Sequence, residues 1–227
     1  MAHLRKPVVL LTVFVMALSG CQWWSKTKTN DISADELGSE KSTLFAKIDK
    51  KYENPKAHYE LGKLYYNDGL WDKAEWEFNI ALGFDPVHRR AQAALVKTLV
   101  AADKPERSSM AAEFYMNQAS TSATSSLLLG KAFQRELLDD YAVACYQQAL
   151  GLAPNSAALH KQIGYYYLSK RDRVRAEEYL RRSFQLDPYQ SEVAGELGRL
   201  GIVVQIPRKI EKNTKKLDKL INESREE

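Results

Sequence analysis

Residues 55–86 read PKAHYELGKLYYNDGLWDKAEWEFNIALGFDP, and the placing of small and large side chains along this stretch decides the fold. Counted from Pro55, Leu61 and Gly62 stand at positions seven and eight, and Tyr65 at eleven. Ala74, Phe78, Ala81 and Pro86 follow at twenty, twenty-four, twenty-seven and thirty-two. The same places are filled from Ala123 by Leu129, Gly130, Phe133, Ala142, Tyr146, Ala149 and Pro154. From Ala157 they are filled by Ile163, Gly164, Tyr167, Ala176, Leu180, Ser183 and Pro188. A fixed period of 34 residues marks a stack of repeated units, each unable to bury its apolar face alone. Each unit is predicted to be two antiparallel helices joined by a tight turn, as at Asn67-Asp68-Gly69 and Lys170-Arg171-Asp172. Gly62 and Ala74 are small, which lets the two axes approach to the low end of the usual 8–10 Å or so. Tyr65 and Phe78 fill the space beside that contact, and Ala81 lets the second helix close on the next unit. Pro86, Pro154 and Pro188 stop the second helix and set up the following one.

These positions resemble the tetratricopeptide repeat over about residues 55 to 202. The resemblance implies an all-α fold, a right-handed superhelix of antiparallel helix pairs. The units run 55–88, 89–122, 123–156 and 157–190. The second is degenerate: Leu95 and Leu99 hold their places, but Val96 stands where Gly would and Ser108 where Ala would. Its helices are expected at Arg89 to Ala102 and Glu106 to Gln118, broken at Asp103-Lys104-Pro105, with the bulk of Val96 splaying the pair. The polar run Ala119 to Ser126 reads as a loosened junction. Residues 43–54, with Leu44, Phe45 and Ile48 as an apolar side, are expected to cap the first unit. Residues 191–206 are expected to cap the last.

The N-terminus carries a second resemblance. Arg5 and Lys6 precede the apolar run Val8 to Ala17, too short for a membrane-spanning helix of about 20 residues. Leu18-Ser19-Gly20-Cys21 then looks like the lipobox of bacterial lipoproteins. That implies a signal peptide at 1–20, acylation of Cys21, and a polar tether over 21–42. Gln22, rather than Asp, after the Cys goes in Gram-negative lipoproteins with export to the outer membrane, the protein facing the periplasm. At the other end, 207–227 is expected to be a basic helix with a thin stripe of Ile210, Leu217 and Ile221. It reads either as a solvated tail or as an arm for lipid headgroups or an acidic partner.

Balanced charge, 33 basic against 29 acidic residues, argues against nucleic acid as a partner. Cys145 is the second of two cysteines and is expected to be buried. No HExxH, CxxC, phosphate-cradling Gly loop or Gly-x-Ser-x-Gly elbow is present, so no catalytic residue, metal or cofactor is expected. His58 and His160 fall at position four of their units and read as packing side chains. The cluster of Lys170, Arg171, Arg173, Arg175, Arg181 and Arg182 reads as a solvated face laced with Glu177 and Glu178, or as a docking patch. In the repeat family, positions two, five, nine, twelve and thirteen face a concave groove. The resemblance therefore places Lys56, Tyr59, Lys63, Tyr66 and Asn67 there from the first unit, Lys131, Gln134 and Arg135 from the third, and Lys161 and Tyr165 from the fourth. The Lys-Asn-Asn-Lys-Arg carboxylate clamp of chaperone-binding relatives cannot be assembled from these residues.

Lipobox and repeats together resemble the outer-membrane tetratricopeptide lipoproteins of pilus and secretion assembly, of the type IV pilotin or Tad type. The resemblance implies a non-enzymatic, membrane-anchored scaffold that grips envelope proteins on its concave face. An adaptor for peptidoglycan hydrolases is the alternative.

Overall fold

A computed structural model describes residues 34–207, with side chains from residue 38 onward. The stretch expected to be a signal peptide, Cys21, the first part of the expected tether and the basic C-terminal segment lie outside the described residues. Within them the chain forms ten helices and no strand. The helices are α1 (Ala34–Lys50), α2 (Pro55–Asn67), α3 (Trp71–Phe84), α4 (Arg89–Ala101), α5 (Pro105–Ala119), α6 (Ala123–Arg135), α7 (Asp139–Leu152), α8 (Ala157–Ser169), α9 (Arg173–Leu186) and α10 (Ser191–Arg199). Side chains start most of the first helices. Asn54, His88, Ser122 and Ser156 each accept a hydrogen bond from the backbone N–H three residues on, the standard way to satisfy an orphan donor.

The two ends depart from expectation. Helix α1 begins at Ala34, inside the stretch 21–42 read as tether. Its Ala, Asp, Glu, Leu and Lys residues sustain a helix, and Lys47 and Lys50 complement the dipole in the last turn. Leu44 and Ile48, one turn apart, bury against Leu61 and Leu64, whereas Phe45 faces outward. At the far end α10 stops at Arg199, short of 206. Ile202 and Val204 then pack, without helix, against Leu180, Val193 and Leu197.

One turn geometry recurs with the period. Gly69, Asp103, Leu137 and Arg171, spaced by 34 residues, all take the left-handed conformation, with φ of 73°, 55°, 61° and 59°. In each case the next N–H reaches back to the carbonyl five residues before it: Leu70 to Tyr65 (2.9 Å), Lys104 to Leu99 (2.9 Å), Leu138 to Phe133 (3.0 Å), Asp172 to Tyr167 (3.0 Å). These are Schellman closures, and they satisfy carbonyls the helix end would orphan. Their presence at Asp103 puts the poorly matching second unit in register with the others.

The helix pairs α2/α3, α6/α7 and α8/α9 close over glycine. A Cβ on Gly62 would stand 2.7 Å from the Phe78 ring, one on Gly130 2.7 Å from Tyr146, and one on Gly164 2.7 Å from Leu180. The second unit solves the contact in reverse. Val96 replaces the glycine, and Ala112 takes the place of Phe78, Tyr146 and Leu180; both are fully buried. Helices α4 and α5 approach each other less closely than the other pairs, as the bulk of Val96 predicts, and α4 leans on α6 as well. Exchanging large for small across the contact keeps the interior filled.

Position four is a hydrogen-bonding station as well as a packing place. His58 Nε2 meets the Tyr52 carbonyl oxygen at 2.9 Å, Gln92 Nε2 donates to that of Pro86 at 2.7 Å, and His160 Nε2 meets that of Pro154 at 2.8 Å. In the third unit Ser126 Oγ donates to the Ala119 carbonyl (3.0 Å) and to Gln148 Oε1 (2.8 Å). Each bond staples the first turn of a helix to the chain entering it. The junction 119–126 is accordingly tight: α5 ends at Ala119, Ser122 caps, and α6 starts at Ala123.

The main core runs from Tyr59 to Ala176 through every helix from α2 to α9, with smaller clusters beneath α1 and α10. Cys145 lies within it, fully buried, and burial pushes its thiol up to about 12. Iodoacetamide at mildly alkaline pH is therefore expected to spare Cys145 in the folded protein and to label it rapidly in urea, as read by peptide mass mapping. Equal rates in both conditions would mean that the third helix pair is open.

Candidate functional site

First helices of successive units line one side of the stack, and between α2, α4 and α6 they leave a cleft of about 480 Å³. Four of the expected groove residues meet there: Lys56 and Tyr59 from α2, Lys131 and Arg135 from α6. Glu60, Arg89, Arg90, Leu128 and Ala132 complete its walls, with His88 at the start of α4. A smaller cleft of about 210 Å³ gathers Lys63, Tyr66 and Asn67 with Lys97 and Glu136.

Tyr59 lies at the floor. It is almost wholly buried, with its ring 5.0 Å from that of His88 and 6.0 Å from that of Phe78. Burial holds its hydroxyl above the usual tyrosine range. Lys63 donates to Glu60 at 2.9 Å and lies over the Tyr59 ring at 5.5 Å; the bond to Glu60 keeps its ammonium above the usual lysine range. Lys97 donates to Glu136 at 2.8 Å and lies over the Tyr66 ring at 5.1 Å. Burial works against the Lys97 charge, but the bond to Glu136 outweighs it and raises the ammonium. Such cation–ring contacts orient the lysines toward the groove.

The other expected residues have different neighbours. Gln134 accepts a hydrogen bond from the Tyr146 hydroxyl at 2.5 Å, which ties α6 to α7. Lys161 pairs with Glu192 of α10 at 3.3 Å, and Tyr165 packs against the cluster under that helix. The fourth unit therefore spends its groove positions on the cap. Arg90 and Lys97, from the second unit, were missed by the sequence reading. They occupy positions two and nine of that unit, so the register used for the others would have found them.

Basic residues on α9 and the turn before it are largely engaged. Lys170 pairs with Asp139 (2.7 Å), Arg175 with Asp172 (2.5 Å) and Arg181 with Glu177 (2.8 Å), while Arg182 donates to Asn155 (3.0 Å). Among the described residues no group of three or more His, Cys, Asp or Glu side chains is placed to hold a metal ion. Nor is any helix among them long and apolar enough to cross a membrane.

No protein-family model matches the chain, and no curated protein does. Among solved structures it is similar to YrrB, described as a TPR protein with an unusual peptide-binding site. The identity is 17%, covering 72% of this chain and 84% of that one, with a TM-score of 0.38. It is similar to MamA from Desulfovibrio magneticus RS-1 at 21% identity, 68% and 88% coverage and a TM-score of 0.37. For PilF of Pseudomonas aeruginosa the figures are 23%, 64% and 67%, and 0.36. What makes this chain a tetratricopeptide-type solenoid is its own geometry: helix pairs, left-handed turns and upstream staples recurring every 34 residues.

Proposed function

We propose that the protein is a non-enzymatic scaffold of the bacterial envelope that grips a partner protein in the groove of α2, α4 and α6. The observation that carries this is the cleft itself, where Lys56, Tyr59, Lys131 and Arg135 from units 68 residues apart converge on one concavity. Half-exposed Leu128 offers apolar contact area, and the cations around it pick up carboxylates or backbone carbonyls. The lipobox sequence Leu18-Ser19-Gly20-Cys21 supports anchoring through Cys21, and Gln22 supports the outer membrane, with the solenoid facing the periplasm. Confinement at a surface raises the effective concentration of a held partner, which suits assistance to pilus or secretion-system assembly.

A photo-crosslinking residue at Leu128, in the cleft, is expected to trap a partner protein in cells, and one at Val174 on the outer surface is not. Cys21→Ala is expected to release the protein from the membrane fraction and to reduce delivery of that partner to the outer membrane sharply. Equal crosslinking from both positions would refute the groove, and unchanged delivery would refute the anchored role. Capture of cell-wall hydrolases instead of pilus or secretion components would favour the adaptor reading.

A further inference from the structure

The larger cleft gathers positive charge that no acid of its own lining neutralises. Lys56, Arg89, Arg90, Lys131 and Arg135 face the larger cleft, and Lys63 and Lys97 the smaller. Two carboxylates lie among them, and both are occupied: Glu60 by Lys63 and Glu136 by Lys97. Among the described residues no carboxylate pairs with any of the five cations of the larger cleft. Arg89 is the plainest case. Half-buried, it donates only to neutral amide oxygens, Gln92 Oε1 at 3.0 Å and Gln118 Oε1 at 3.3 Å, and burial holds its guanidinium below the usual arginine range. Several cations elsewhere find acids, Lys104 with Asp72 and Glu75, Arg107 with Glu75 and Lys170 with Asp139, while others such as Lys73 and Arg173 pair with none among the described residues. What sets the five apart is that they gather around one concavity.

Three kinds of anion could neutralise such a site. A planar lipid surface cannot follow a concave cleft between helices. Single-stranded nucleic acid needs exposed aromatic faces on which bases stack, and Tyr59 shows only 6% of its surface. An extended peptide fits both features. Its carboxylates reach the cations at the rim, while an apolar side chain settles against the half-exposed Leu128.

We propose that the cleft between α2, α4 and α6 accepts an acidic, extended segment of the partner protein. Carboxylates of that segment bind Lys56, Arg90, Lys131 and Arg135, flanking an apolar residue seated on Leu128. This rests on the groove being the binding face, and it adds the chemistry of the ligand. Because Glu60 and Glu136 are already neutralised, they do not repel such a segment. The attraction is electrostatic and partly exposed, so it sets selectivity and association rate and is weakened by salt.

The test uses fluorescence anisotropy with the full chain in detergent and three labelled probes. They are a short peptide rich in Glu around a central Phe, the same peptide with every Glu replaced by Gln, and an oligothymidine. The Glu peptide is expected to bind about tenfold or more tighter than the Gln peptide, a difference equivalent to about 1.4 kcal/mol. Its affinity is expected to fall about tenfold in Lys131→Ala/Arg135→Ala, and again when NaCl rises from about 50 to about 300 mM. Arg173→Ala/Arg181→Ala, on the far unit, is expected to bind as wild type. A charge-reversed Lys131→Glu/Arg135→Glu variant is expected to prefer the peptide with Lys in place of Glu, which separates lost attraction from lost folding. Equal binding of the Glu and Gln peptides would overturn the acidic preference while leaving the groove as the binding face. No binding of either peptide, or oligothymidine binding as tightly as the Glu peptide, would overturn the proposal. Failure of the Leu128 crosslink would overturn the groove itself.

Discussion

Gly164→Ala is expected to destabilise the protein by about 1–3 kcal/mol, whereas Gly198→Ala, at the same repeat position, is expected to stabilise it by about 0.5–1 kcal/mol. Both glycines stand at position eight of a first helix. In α8 the added Cβ would fall 2.7 Å from Cγ and Cδ2 of Leu180 and 3.3 Å from the Leu180 backbone nitrogen. Leu180 is fully buried and cannot swing aside, so α9 must move as a body. In α10 the added Cβ meets nothing within 4 Å, since among the described residues no second helix follows it to close the pair. There alanine only removes the conformational freedom that glycine contributes to the unfolded chain. Urea denaturation of the two variants beside wild type decides the matter, with the midpoints compared at constant slope. Shifts of the same sign would mean that glycine at position eight does not serve close approach.

The contrast explains why the period is so legible. A backbone contact that admits no Cβ leaves a residue type in the sequence, and three units show it at Gly62, Gly130 and Gly164. The second unit is faint because Val96 and Ala112 exchange the large and small partners; volume is kept while both residue types are reversed. The turns are legible only once: Gly69 announces its left-handed φ, but Asp103, Leu137 and Arg171 take the same φ under the hold of Schellman bonds. Position four hides for another reason. His58, Gln92, Ser126 and His160 share a donor and a direction, not a type, so matching by residue cannot see them. The groove was half legible. Lys56, Tyr59, Lys131 and Arg135 fall in the larger cleft and Lys63, Tyr66 and Asn67 in the smaller. Gln134, Lys161 and Tyr165 are drawn to partners on α7 and α10, contacts between helices that position along one helix does not encode.

His58→Ala is expected to cost more than any other single change considered, about 2–4 kcal/mol, because it empties a buried site and strips a partner from the partly buried Glu77. Its ring is 2% exposed, with Nδ1 2.7 Å from Glu77 Oε2 and Nε2 2.9 Å from the Tyr52 carbonyl oxygen. A carbonyl oxygen can only accept, so Nε2 carries a hydrogen. Nδ1 then faces a carboxyl group, and a proton must lie between them, on the ring or on Glu77. Either way alanine strands Glu77 and the Tyr52 carbonyl and opens a hole between the Tyr52 and Phe84 rings, 5.1 and 6.0 Å from that of His58. His58→Gln is expected to cost only about 1–2 kcal/mol, since Gln92 already makes the same upstream bond in the second unit at 2.7 Å. His160 supplies the internal control. It keeps the bond to Pro154 at 2.8 Å, but Tyr179 stands at the repeat position of Glu77, and its buried Nδ1 has no partner among the described residues. His160→Ala is accordingly expected to cost about 1–2 kcal/mol, the staple and some packing without a stranded carboxyl group. Equal losses for His58→Ala and His160→Ala in urea would show that Glu77 adds nothing. The first unit would then be held by its staple alone, like the fourth.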